Sequence, residues 1–182
     1  RALLQQAPGE AIRFAMLSTH YRQPLNWSKE TLSQAREKLD RLYTALRQAE
    51  DIAPSLEAVP DAIEAPLLDD LHTPMALSNL AGLASAINKA ETVAEKARAK
   101  GSLLAAGAAM GLLQQDPEAW FRWQPAGAAG LDEAEIERQI ALRNKARQEK
   151  DFKEADRIRD MLAEKGILLE DRAGKTIWRH AG

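Results

Sequence analysis

The stretch IALRNKARQEKDFKEADRIRDMLAEKGILLEDRAGKTIWRH, Ile140 to His180, decides how the end of the chain folds. Its pattern predicts a helix, a tight break, a second helix and a short strand hairpin. In the second helix Ala155, Ile158 and Leu162 fall at helical spacing and form an apolar stripe. Phe152, Asp156 and Arg159 follow the i, i+4, i+7 spacing of a different stripe. Asp151 is placed to cap this helix, with Glu154 at the capping-box position, and Gly166 ends it as a C′ glycine. Ile167–Glu170 and Lys175–Trp178 are β-prone runs joined by Asp171-Arg172-Ala173-Gly174, a hairpin signal. A ring, a carboxylate and a guanidinium on a stripe that does not face the core supply a stacking platform, an acceptor and a forked donor. Recognition of unpaired bases needs these three things.

Working outward, Asp132 caps a helix that runs to about Lys150, and Gln124–Gly130 is the best linker in the chain. Three parts are therefore expected: residues 1–123, a linker at 124–130, and residues 131–182. In the first part, residues 1–7 read as a short helix or a helix end. Gly9 and Glu10 open a helix with Ile12, Phe14, Ala15, Met16 and Leu17 expected to be largely buried. That helix stops before His20-Tyr21-Arg22-Gln23-Pro24, because the residue preceding proline avoids the helical region. Ser28 is the N-cap of a long helix to about Ala49, with Leu32, Ala35, Leu39, Leu42, Tyr43 and Leu46 at helical period. Residues 50–73, with three prolines and several acids, read as loop with at most short helices. Thr73-Pro74 signals an N-cap followed by proline at the first helical position, with the helix expected to reach about Lys100 and to break at Gly101-Ser102. Leu103–Leu113 and a short helix after Asp116-Pro117, carrying Trp120, Phe121 and Trp123, complete this part. The fold expected is mainly α: a helical bundle followed by a small helix-helix-β-hairpin domain.

The 182 residues are enough for one or two domains with real cores, and 45% hydrophobic with 29% charged residues is a globular composition. There is no cysteine, which excludes a disulfide framework and a thiolate metal site. No apolar run approaches the ~20 residues a membrane helix needs, and no signal-peptide pattern is present. The formal charge of −2 hides an asymmetry. Residues 138–182 carry 12 Lys/Arg against 8 Asp/Glu, and residues 1–137 carry 13 against 19. A basic end on an acidic body suits an anionic partner; it equally suits a salt-bridged, solvated helix pair.

His20, His72 and His180 are far apart in sequence, and no metal-binding or phosphate-loop motif is present. Gly101, Gly107 and Gly111 read as small residues that let helices approach closely, Asp69-Asp70 as a solvated acidic loop, and Trp120, Phe121 and Trp123 as aromatic closure of a helical core. The tail residues each have a structural alternative. Phe152 could staple the two helices at their break, Asp156 and Arg159 could form a surface ion pair, Asp171 could be a turn residue and Trp178 hairpin core. A non-catalytic helical protein-interaction module is the rival reading of the whole, and a small intact enzyme a second rival.

Three segments carry a family resemblance: FAMLSTHYRQPLNWS (Phe14–Ser28), LHTPMAL (Leu71–Leu77) and KDFKEADRIRDMLAEKGILLEDRAGKTIWRH (Lys150–His180). In that order and spacing they resemble bacterial cysteinyl-tRNA synthetase, a class I aminoacyl-tRNA synthetase, downstream of its catalytic core. The resemblance implies a stem-contact or DALR-type bundle followed by an anticodon-binding domain. It implies a cytoplasmic parent enzyme that joins cysteine to tRNA(Cys) using ATP, with a zinc ion selecting the thiol. The family's H-I-G-H and K-M-S-K-S motifs and its zinc-ligand cysteines are missing here. This chain is therefore expected to hold no ATP, no zinc and no ligase activity, and to have as partners the tRNA and the catalytic domain of the same polypeptide. By resemblance the tail reads a GCA anticodon. Phe152 stacks on a base, Asp156 and Asp171 accept from guanine, Arg159 donates to cytosine, and Arg147 stacks or holds phosphate, with Trp178 a weaker candidate. Tyr21 and Arg22 fall near the family's tRNA-facing junction with the catalytic core, or else simply close a helix end.

Overall fold

The computed structural model describes residues 2–125, 131–172 and 174–180. A 3-10 turn at Ala2–Gln5 is followed by α1 (Gly9–Leu17), α2 (Lys29–Gln48), α3 (Asp61–Leu68), α4 (Thr73–Lys89), α5 (Val93–Ala109) and α6 (Pro117–Phe121). Then come α7 (Glu133–Gln148), α8 (Phe152–Glu164) and the antiparallel pair β1 (Ile167–Arg172) and β2 (Lys175–His180). The chain divides into two compact units, Arg1–Trp120 and Phe121–Gly182. Of the expected linker, residues 126–130 lie outside the described residues. No helix among the described residues is long and apolar enough to cross a membrane.

The first unit is a helical bundle centred on α2 and α4. Ser28 caps α2, its hydroxyl accepting from the Thr31 N–H at 3.1 Å, and Leu39, Leu42, Tyr43 and Leu46 are buried along one face. In α1, Phe14 and Ala15 are buried as expected, but Met16 is exposed and Ile12 and Leu17 are only half-buried. Ala11, Phe14 and Ala15 already fill that stripe, and Met16 lies off it. The region expected to be loop contains the single short helix α3, anchored by the buried Ile63.

Two expectations about α4 are corrected. The cap is His72, not Thr73: the His72 Nδ1 accepts from the Met75 N–H at 3.3 Å, while the Thr73 hydroxyl donates to the Leu17 carbonyl at 2.8 Å. The helix also ends at Lys89. Thr92 starts α5 with a full capping box, its hydroxyl accepting from Glu95 N–H and the Glu95 carboxylate accepting from Thr92 N–H. Gly101 lies inside α5 rather than breaking it. A Cβ there would run into the Ser55 carbonyl oxygen, so this glycine lets the 53–57 segment lie against the helix, where the Ser55 N–H donates to Ala97 O at 3.0 Å. Close approach was the expected reason for the glycines, and at Gly101 the partner is a loop backbone. Trp120 closes the bundle: it is buried, stacks on Tyr43 with centroids 4.6 Å apart, and its Nε1 donates to Asp40 Oδ1 at 2.7 Å.

The second unit has its own core of Ile136, Ile140, Ile158, Leu162, Ile167 and Trp178, drawn from both helices and both strands. Asp132 and Asp151 cap α7 and α8, accepting from Glu135 N–H at 2.7 Å and Glu154 N–H at 3.1 Å. The capping box expected at α8 is only half made, because the Glu154 carboxylate turns to Arg157 at 2.6 Å. The break between the helices is a Schellman turn. Asp151 N–H donates to Ala146 O at 2.9 Å, Lys150 N–H to Arg147 O at 3.1 Å, and Lys150 sits at φ +62°. The strands are longer than expected, since the ladder runs from Ile167–His180 to Arg172–Lys175. Asp171 is thus a strand residue opposite Thr176 and not part of a turn.

Candidate nucleic-acid interface

The α8 helix has two unlike faces, as its spacing requires. Ala155, Ile158 and Leu162 are buried in the core. Phe152, the first residue of α8, is 62% exposed. Asp156 and Arg159 are exposed one and two turns further on, joined by an ion pair of 3.2 Å, and Arg159 also meets Asp160 at 3.2 Å. Such exposed i, i+3 pairs contribute at most about 1 kcal/mol, so the pair holds the two groups outward without locking them. The ring, the acid and the guanidinium therefore face solvent together.

A second cluster lies where the end of α7 meets the hairpin. Arg143, almost buried, reaches both oxygens of Asp171 in a fork, Nη1 to Oδ1 at 2.9 Å and Nη2 to Oδ2 at 2.8 Å. Arg147, one turn later and half-exposed, adds Nη1 to Oδ2 at 2.7 Å, and the Thr176 hydroxyl donates to Oδ1 at 2.8 Å. These donors, the Arg143 fork first, hold the Asp171 carboxyl well below the usual carboxylate range. The same bond raises the Arg143 guanidinium, to which the charge of Asp156 also contributes. The α8 stripe and the Asp171 cluster lie on neighbouring elements, since α8 packs on α7, which carries Arg143 and Arg147. A shallow concavity of about 350 Å³ opens beside it, lined by Asn144, Arg147, Gln148, Asp171, Gly174, Lys175 and Thr176.

One expected site residue is corrected. Trp178 is 2% exposed, part of the core, with its Nε1 donating to Glu137 Oε1 at 2.9 Å and the Arg122 guanidinium 5.0 Å from its ring centre. Its ring is not open to a base, because it packs in the core with Ile136 and Ile140 of α7, Ile158 and Leu162 of α8, and Ile167 of β1. Phe121–Gly182 carries 13 Lys/Arg against 12 Asp/Glu, so the basic surplus is not a property of the folded unit. Acids gather in the first turn of α7 and bases in its last, which is also the order the helix dipole favours. Arg147, Lys150 and Arg159 remain exposed cations around the α7–α8 break and the outward face of α8.

In the first unit Tyr21 and Arg22 both reach Asp70: the phenol donates at 2.6 Å, and the guanidinium binds through Nη2 at 2.9 Å and Nε at 2.8 Å. His20 stacks on Tyr21 at 4.9 Å, donates from Nε2 to Asp70 O at 3.1 Å, and meets His72 edge-on at 5.6 Å. Asp70 is therefore not a free loop carboxylate. With Leu71 it forms a turn in which both residues have positive φ, at 51° and 52°. The cluster ties the segment after α1 to the turn before α4, and it leaves the Tyr21 ring exposed. Sequence reading missed Arg143 and Thr176, and it took His20 as isolated and Asp69-Asp70 as a solvated loop. Arg143 and Arg147 at i, i+4 were the available signal for the first, and the hairpin register for the second.

The comparisons with known proteins bear on both units. The model of the cysteinyl-tRNA ligase anticodon binding domain matches residues 131–179, and that of the DALR domain matches residues 62–114. The cysteine–tRNA ligase of Paramagnetospirillum magneticum is 55% identical over 181 residues, covering 98% of this chain. The chain belongs to the cysteinyl-tRNA synthetase family. It corresponds to the C-terminal part of these bacterial synthetases. The cysteine–tRNA ligases of Rhodospirillum rubrum and Xanthomonas campestris pv. campestris are 52% and 48% identical over 100% and 98% of the chain. The chain spans 39% of the length of the first two of these synthetases and 38% of the third.

Proposed function

We propose that this chain is the tRNA-binding portion of a cysteine–tRNA ligase and that its second unit reads the GCA anticodon of tRNA(Cys). The observation that carries this reading is the shared outward face of Phe152, Asp156 and Arg159 on α8, beside the Asp171 cluster. Phe152 offers its ring to an unstacked base, worth roughly 1–3 kcal/mol in single-strand binders. Asp156 and Asp171 accept from the Watson–Crick donors of guanine, Arg159 donates to the O2 and N3 acceptors of cytosine, and Arg147 holds phosphate. Tyr21 and Arg22 face the tRNA, or the catalytic domain of the same polypeptide, at the end of the bundle.

The whole enzyme joins cysteine to tRNA in the cytoplasm using ATP. This chain on its own has no ligase activity, because its sequence holds neither nucleotide motif. With no cysteine in the sequence, it offers no thiolate to a zinc ion, so zinc and ATP belong to the catalytic part.

The test is binding of labelled anticodon stem-loops across a salt series. Wild type should prefer the GCA loop over swapped anticodons. Arg159→Ala should reduce affinity for the GCA loop at least tenfold and for swapped loops much less. Lys150→Ala should weaken all loops alike and flatten the salt dependence. Equal loss for cognate and swapped loops on Arg159→Ala would contradict base reading and favour a protein-interaction module.

A further inference from the structure

We infer that Arg143 is the positioning residue that fixes Asp171 for RNA, and that Arg147 is a removable donor whose place on Asp171 Oδ2 is taken by a base N–H when RNA binds. The inference rests on the anticodon-reading function proposed above and says how one of its acceptors becomes available.

An ionised carboxylate has about four acceptor positions. In Asp171 four donors of this chain already fill them. Oδ1 takes Arg143 Nη1 at 2.9 Å and the Thr176 hydroxyl at 2.8 Å, while Oδ2 takes Arg143 Nη2 at 2.8 Å and Arg147 Nη1 at 2.7 Å. A base donor can bind only where one of these leaves.

The four donors are not equally held. The Arg143 side chain is 8% exposed and makes a two-toothed fork, so losing it would strand a charge among buried neighbours. The Thr176 hydroxyl lies between Asp171 and the Asn144 side-chain oxygen at 3.1 Å and is held by the ladder position opposite Asp171. Arg147 makes one bond, is 46% exposed, and borders the concavity lined by Asn144, Gln148 and Lys175. Its guanidinium has somewhere to turn, and apart from Asp171 itself no carboxylate among the described residues lines that concavity. The RNA backbone then takes the released cation, so one exchange supplies a base contact and a phosphate contact together.

The exchange separates two quantities that a plain contact would move together. In the 182-residue chain, Arg147→Ala should lower affinity for every stem-loop several-fold and reduce the slope of log affinity against log salt by about 0.7, as loss of one phosphate contact to a single strand requires. The ratio of affinities for GCA and swapped loops should stay within about twofold of wild type. Arg143→Lys keeps the charge but not the fork, and should reduce that ratio at least tenfold. Thermal unfolding supplies an arm without RNA: Arg143→Ala should lower Tm by several degrees and Arg147→Ala by about one. If Arg147→Ala abolishes the preference for GCA while leaving the salt slope unchanged, Arg147 reads a base itself and the exchange is wrong. Equal Tm losses for the two alanine variants would also overturn it. Should wild type show no preference among anticodons, the proposed function fails instead, and the Tm pair still decides whether Arg147 is the removable donor.

Discussion

Arg47 in the bundle and Arg143 in the tail unit each meet a carboxylate through a forked guanidinium, yet the two pairs end differently. Arg47, 2% exposed on α2, binds Glu118 of α6 with Nη2 to Oε2 at 3.0 Å. Nearby, the Tyr43 phenol donates to the Glu10 carboxylate at 2.5 Å and is pushed far above its ordinary range by burial first and by Glu10 second. These polar groups satisfy one another inside the bundle. The Arg143–Asp171 pair instead has one end in the core and the other under Arg147 at the surface. The difference teaches where to look for binding. A closed pair serves the fold, while a pair closed on one side and open on the other presents a carboxylate of fixed orientation to solvent.

The same contrast holds for the tail's two aromatic rings, and substitution should exaggerate it. Trp178→Ala removes a fully packed ring and should destabilise the second unit by about 3–5 kcal/mol, read by urea unfolding. Phe152→Ala should change stability by less than about 0.5 kcal/mol, as exposed positions do, while weakening RNA binding. Similar losses for both would break the division between core ring and stacking ring. Next in size, Arg47→Ala removes the buried partner of the half-buried Glu118 and should cost about 2 kcal/mol in the bundle, with no change in anticodon preference.

Asp171 gives the comparison a pH dependence. Its folded-state pKa lies below the unfolded value, so its contribution is present above pH ~4 and is lost as pH falls further towards the folded pKa. The second unit should lose stability over this acid range, and Asp171→Asn should be less stable at neutral pH but flatter below pH ~4. Steeper acid loss in the variant would contradict the assignment. A small gain is expected at Lys150, whose φ of +62° favours glycine. Lys150→Gly should stabilise by about 0.5–1 kcal/mol while weakening RNA of any sequence. A loss of stability would show that the lysine side chain holds the corner.

Much of the tail was legible because its signals are local. Asp132, Asp151, Gly166 and the alternation of α8 lie within a few residues of what they control. The same holds for Ser28 in the bundle. Where local signals competed, reading failed. The alanine-rich periodicity from Ala76 onward continues through Ala90, and it outweighed the Thr92–Glu95 box that divides α4 from α5. His72 took the cap expected of Thr73 because the Thr73 hydroxyl was drawn to Leu17, 56 residues earlier. The site was legible as a stripe and illegible as a network. Phe152, Asp156 and Arg159 follow from helical spacing alone, whereas the bond from Arg143 to Asp171 spans 28 residues and depends on the hairpin register. Trp178 shows the limit of residue type as evidence, since a tryptophan in a basic hairpin suits stacking until its face on the sheet is known.

The central claim is that the outward face of α8, with the cluster beside it, meets unpaired anticodon bases. Backbone and side-chain NMR shifts of the 182-residue chain, followed while a GCA stem-loop is added, test it most directly. Shifts at Phe152, Asp156, Arg159 and Arg147 that saturate with the GCA loop, and that are much weaker with a swapped anticodon at equal concentration, are the predicted result. The same shifts with both loops, or a response that leaves α8 untouched, would contradict it.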